Sequence, residues 1–153
     1  LRRLHLGLAI GGAFEPKLYF MDTAVATYLI GLHQSEPTVH GPMIGPLFET
    51  LVISELVKMF YNRGERPELY FWRSRGGLEV DAIIDRNNRL YPIEMKSTAT
   101  LMPNHANALA QWRRLAGNKA EEGLLVANID HPVSVKKGCL AISWDQPLDL
   151  MPE

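Results

Sequence analysis

Between Gly76 and Ser97 the chain reads GGLEVDAIIDRNNRLYPIEMKS. Leu78 to Arg86 has the β-branched and apolar content of a strand, and Arg89 to Lys96 is a second such run. Asn87-Asn88 between them is a two-residue turn signal, because Asn tolerates the positive φ that tight hairpin turns require. The stretch therefore predicts a β-hairpin. Alternation along a strand puts Glu79, Asp81 and Ile83 on one face and Val80, Ala82 and Ile84 on the other. In the second strand Pro92, Glu94 and Lys96 share a face opposite Ile93 and Met95. Asp81, Glu94 and Lys96 thus stand in strands that otherwise look buried. A buried charge costs several kcal/mol unless it is paired or bound to a metal, so these three residues call for a reason.

The rest of the chain supplies a domain around the hairpin. Its 153 residues fit one domain. A single cysteine, Cys139 in an apolar run, excludes an internal disulfide framework and fits a buried thiol in a reducing, cytoplasmic setting. No apolar run is long enough to span a membrane, and no signal peptide is visible. The chain opens on Leu1 with no Met, which reads as a fragment of something longer. A net charge of −1 counts against avid non-specific nucleic-acid binding but leaves room for a local basic patch.

In chain order, residues 1–41 read as a lead-in or linker. Leu1 to Gly12 is the end of a helix or strand, Lys17 to Met21 is strand-like, and Asp22 caps a short helix from Thr23 to Ile30. His33 to Gly41 is a loop, and its two histidines lack partners at ligand spacing. Gly45-Pro46 opens a helix from Leu47 to about Tyr61. On its wheel Thr50, Ser54 and Lys58 form a polar stripe, while Phe48, Val52, Ile53, Leu56 and Phe60 form the apolar arc. Glu49 falls inside that arc and so points toward the core; the helix dipole alone favours a first-turn carboxylate but does not require the inward face. Glu68 to Ser74 is an aromatic strand, and the hairpin follows. A helix runs from about Asn104 to Leu115, Gly123 to Asn128 is a fully buried strand, Ile129 to Lys137 is a loop, and Gly138 to Trp144 is a last strand. The fold class is α/β, a mixed sheet covered by helices over residues 42–145, with 146–153 as a tail.

Facing residues on antiparallel strands stand ~5 Å apart, so Asp81 and Glu94 can meet. Carboxylates that close repel unless a proton or cation intervenes. All-oxygen ligands suit Mg²⁺ or Mn²⁺ rather than zinc. Lys96, on the Glu94 face, can orient a water or offset charge on a phosphate oxygen. Metal-assisted phosphodiester hydrolysis needs that set.

A helix glutamate, then G-x-E-V-D, then a strand I-E-x-K resembles the PD-(D/E)XK nuclease superfamily, in its subgroup similar to Holliday-junction resolvases. Lys17-Leu-Tyr-Phe-Met-Asp-Thr, Gly45-Pro-Leu-Phe-Glu, Leu69-Tyr-Phe-Trp-Arg, Gly77-Leu-Glu-Val-Asp and Pro92-Ile-Glu-Met-Lys-Ser resemble one family more closely. It is the C-terminal domain of unknown function attached to prokaryotic AAA+ ATPases. The resemblance implies a restriction-endonuclease-like fold, an upstream ATPase and a metal held by Asp81, Glu94 and Glu49, with Lys96 acting on the water. No G-x-x-x-x-G-K-[ST] occurs in these residues, so this stretch supplies no P-loop. Glu79 is a candidate to support Asp81, and a solvated or ion-paired role explains it equally. Gln111 sits where some nucleases of the superfamily place a glutamine, but its neighbours favour a surface position.

Two functions compete on these residues. One is a divalent-metal-dependent nuclease acting on DNA, with Arg73, Arg75 and Arg113 as phosphate contacts; an ordinary solvated surface explains the same arginines. The other is an inactive interaction, oligomerisation or DNA-binding module of the ATPase, for which Tyr70, Trp72 and Trp144 would offer a partner surface if exposed, although core packing is their default role.

Overall fold

A computed structural model describes residues 17–32 and 41–145, with the backbone of 2–3. The expectations for the remainder of Leu1 to Gly12, for the loop at 33–40 and for the tail at 146–153 lie outside the described residues.

Strand β1 (Arg2–Arg3) pairs antiparallel with β2 (Leu18–Tyr19). Helix α1 (Thr23–Leu29) follows, capped as predicted by Asp22, whose Oδ1 accepts the N–H groups of Ala24 and Val25 at 2.8 and 3.3 Å. The long helix α2 covers Ile44–Asn62. Strands β3 (Leu69–Arg73), β4 (Glu79–Arg86) and β5 (Arg89–Lys96) then form an antiparallel meander. A 3₁₀ turn at Pro103–Ala106 leads into α3 (Asn107–Ala116). Strand β6 (Gly123–Ala127) pairs parallel with β5 and with β8 (Cys139–Ser143). Strand β7 (Val133–Lys136) lies antiparallel to β8 at the edge. The six-stranded sheet runs β3-β4-β5-β6-β8-β7. This is the expected α/β architecture, a mixed sheet flanked by helices.

The sheet has an apolar layer on each face. Under α2, Phe48, Val52, Leu56 and Phe60 pack on Ala82, Ile84, Ile93, Met95 and Val126. Under α3, Leu109 and Trp112 pack on Trp72, Val80, Ile83, Leu90 and Leu125. Trp72 meets Trp112 edge-on, with ring centroids 6.4 Å apart and planes at 79°. Cys139 is fully buried, and burial raises its thiol pKa. The hairpin turn takes its predicted form, with φ of 53° at Asn87 and 61° at Asn88.

Trp72 is 2% exposed, so it takes the default core-packing role and not that of a partner surface. Two expectations give way. Ser54 is buried rather than on a polar stripe; its hydroxyl donates to the Leu51 carbonyl at 2.8 Å, which removes the cost of burying it. The stretch read as a loop from Ile129 to Lys137 contains β7, whose side chains are mostly exposed and so lack the apolar signature of an inner strand. From the lead-in, Tyr19 of β2 is buried in the α2 layer, with Met21 packed beside it. No helix among the described residues is long and apolar enough to cross a membrane.

Candidate active site

Strict alternation along β4 breaks at Asp81. Tyr70 pairs with Ile83, and Trp72 pairs with Val80, so two steps on β3 span three on β4. The extra residue is a β-bulge, and it puts Val80 and Ile83 in the same apolar layer rather than on opposite faces. The β4–β5 register runs from Arg86↔Arg89 to Ala82↔Ile93. Just past its end the Asp81 carboxylate accepts the Met95 backbone N–H at 2.8 Å. The bulge therefore aims Asp81 into the opening between the two strands, against the backbone that separates Glu94 from Lys96.

Alternation along β5 holds. Ile93 and Met95 pack under α2, and Glu94 and Lys96 take the opposite positions. Glu94 is one of two buried polar residues among those described. Its Oε1 accepts from Lys96 Nζ at 2.6 Å, while Oε2 is buried with no hydrogen-bond partner. Burial raises the Glu94 pKa, with Lys96 pulling it back and Glu79 and Glu49 adding to the rise. Burial works against the charge of Lys96, but the hydrogen bond and charge of Glu94 outweigh it and hold the amine above its ordinary value.

Glu49 faces this end of the hairpin, as its place on the helix wheel predicted. Its Oε1 accepts from Lys17 Nζ at 3.0 Å and from the Tyr19 hydroxyl. Lys17 also pairs with Glu79 at 2.7 Å and lies 4.3 Å from the centre of the Phe71 ring. Glu79 is thus ion-paired, with Arg73 on its other oxygen at 3.6 Å. Burial and the nearby carboxylates raise the Tyr19 pKa, so the hydroxyl stays protonated and donates.

Four carboxylates, Glu49, Glu79, Asp81 and Glu94, therefore share a neighbourhood with two ammonium groups, Lys17 and Lys96. Positive charge is in deficit, and Asp81 carries the consequence. Burial first, then the charges of Glu94 and Glu49, push its carboxyl up to about 7, against the pull of the Met95 N–H and of Lys96. Among the described residues no three histidine, cysteine or acidic side chains stand ready to ligate one ion together. Glu49, the expected third ligand, is committed to Lys17 and Tyr19. The donor set still fits a hard divalent cation in its chemistry: oxygen ligands, an excess of negative charge and a buried carboxylate oxygen without a partner.

The predicted phosphate contacts divide. Arg73 and Arg75 are exposed, Arg73 just before and Arg75 within the tight turn from Ser74 to Leu78, where Gly77 takes a φ of 84°. Arg113 is elsewhere and occupied. Its Nε donates to the Glu121 carbonyl at 2.6 Å and its Nη1 to the Gly138 carbonyl at 2.7 Å, so it ties α3 to two turns. Gln111 is exposed, as its neighbours suggested. Sequence reasoning missed Lys17 and Tyr19 as site residues. The signal was present, since residues two apart on a strand share a face and Tyr19 follows Lys17 by two.

Residues 44–146 match the family described as Domain of unknown function (DUF4143), and the chain belongs to that family. Among curated proteins, it is similar to an uncharacterized protein of Mycobacterium tuberculosis and to one of Mycobacterium bovis, each 29% identical over 86 residues. The match covers 56% of this chain and 19% of either relative, so it spans about a fifth of their length.

Proposed function

We propose that this domain is a PD-(D/E)XK-type, divalent-metal-dependent nuclease module acting on DNA. The observation that carries the reading is the joint between Asp81 and Met95, which brings an acid of one strand against the E-x-K segment of the next. Asp81 and Glu94 would hold Mg²⁺ or Mn²⁺, with Glu49 completing the site on leaving Lys17. The ion, when bound, supplies Lewis acidity and a water of lowered pKa. Lys96 would orient that water and offset charge that grows on a phosphate oxygen. Arg73 and Arg75 would position the phosphate backbone without reading bases. The same resemblance supports an AAA+ ATPase upstream in the full-length protein, and the greater length of the relatives is compatible with one.

Cleavage of plasmid, single-stranded and branched DNA with Mg²⁺ or Mn²⁺ tests the proposal. Asp81→Ala and Lys96→Ala should each lose on the order of 10²-fold or more, the scale of a removed charge-stabilising group. Equal activity in wild type and variants would mark a contaminant and end the reading.

A second reading, an inactive interaction module, is favoured by one feature. Helix α1 and its flanks expose Val25, Tyr28, Leu29 and Ile30, with Tyr28 69% exposed, next to an apolar cleft of about 300 Å³ between α1 and α2. No metal binding, together with a stable dimer mass, would favour it.

A further inference from the structure

We infer that Lys17 is an internal counter-cation of the candidate site, which a divalent ion displaces from Glu49. The inference rests on the metal-binding reading above and adds a residue to it. Lys17 Nζ lies 3.0 Å from Glu49 Oε1 and 2.7 Å from Glu79 Oε1, so one ammonium is shared between two acids carried by α2 and β4. Its amine is held above the ordinary lysine value because those two carboxylates outweigh its burial. An ion at Asp81 and Glu94 attracts Glu49 and repels Lys17, since both are cations drawn to the same carboxylates. The Phe71 ring, over which Nζ already lies at 4.3 Å, and Glu79 can keep hold of the ammonium when it gives up Glu49. Lys17 precedes the two-residue strand β2, which stands outside the six-stranded sheet, whereas Glu79 and Glu94 are fixed within it. Lys17 is thus the charged group that can yield at least cost. Ion binding then requires an exchange of one cation for another, and Lys17 sets the ion concentration at which Glu49 joins the site.

The test is Mn²⁺ binding to the chain, by electron paramagnetic resonance or calorimetry, for wild type, Lys17→Met and Lys17→Arg. Lys17→Met should bind Mn²⁺ about tenfold more tightly, the scale of removing one like charge near the ion, and Lys17→Arg should bind like wild type. Acylation of Lys17, read by mass spectrometry, should rise in wild type as Mn²⁺ is added. Equal affinity in wild type and Lys17→Met, with constant acylation, overturns this inference and leaves the metal site standing. Absence of Mn²⁺ binding in every form overturns the metal reading as well. If Lys17→Met does not fold, the wild-type acylation decides alone.

Discussion

The Asp81 carboxylate accepts the backbone N–H of Met95 at 2.8 Å, just where the β4–β5 ladder ends. One contact thereby satisfies a strand amide, closes the mouth of the hairpin and places an acid beside both Glu94 and Lys96. It also holds that acid where its charge is unfavourable, and the first prediction comes from this conflict.

In the unfolded chain Asp81 ionises near 3.8, and in the fold at about 7. Between those values the folded state keeps a proton that the unfolded chain has released. Stability from this group is therefore complete at low pH, falls as pH rises from about 4, and levels off above about 7. Asp81→Asn keeps an acceptor for Met95 and abolishes the titration. The variant should match wild type near pH 4 and exceed it by on the order of 2–4 kcal/mol near pH 8. Urea unfolding across that range measures the difference, and parallel profiles would contradict it.

Lys96 donates a hydrogen bond to the buried Glu94 carboxylate and opposes the rise that burial gives its pKa. Lys96→Met should cost about 1–3 kcal/mol at neutral pH, the penalty of an orphaned buried acceptor. Glu94 can escape that penalty by taking a proton, so the cost should shrink in acid. Adding Glu94→Gln to Lys96→Met should recover part of the loss. A double variant no more stable than the additive sum would show that the pair is not coupled.

Arg113 is predicted to act on stability and not on nucleic acid. Gly138 has a φ of 74°, and a Cβ there would lie 1.9 Å from Arg113 Nη1. Gly138→Ala should therefore destabilise by about 2 kcal/mol or more, through strain and the loss of two charge-assisted bonds. Arg113→Ala should cost a similar amount. Neither should change the salt dependence of any DNA binding, whereas Arg73→Ala should reduce its slope by about one. A reduced slope for Arg113→Ala would restore it as a phosphate contact.

The sequence reveals the parts of this fold that depend on local rules. Asn87-Asn88 fixes the hairpin because both residues must take positive φ. Asp22 fixes the start of α1, and the helix wheel turns Glu49 inward. What escapes the sequence depends on pairing between distant segments. The bulge at Asp81 exists only in relation to β3, and no pattern within β4 announces it. Strand β7 is an exposed edge without apolar alternation, so it reads as loop. Arg113 looks like a surface charge until α3 is seen against the turns at Glu121 and Gly138. Lys17 and Tyr19 carry the same lesson into the site: their partners lie 32 and 30 residues away.

The most direct test is an anomalous-difference map from a crystal of this chain soaked in Mn²⁺. The expected result is a peak in the mouth of the hairpin, within coordinating reach of Asp81 and Glu94 oxygens, with Glu49 turned away from Lys17. A map without that peak at saturating Mn²⁺, with Lys96 still on Glu94 and Lys17 still on Glu49, would contradict it.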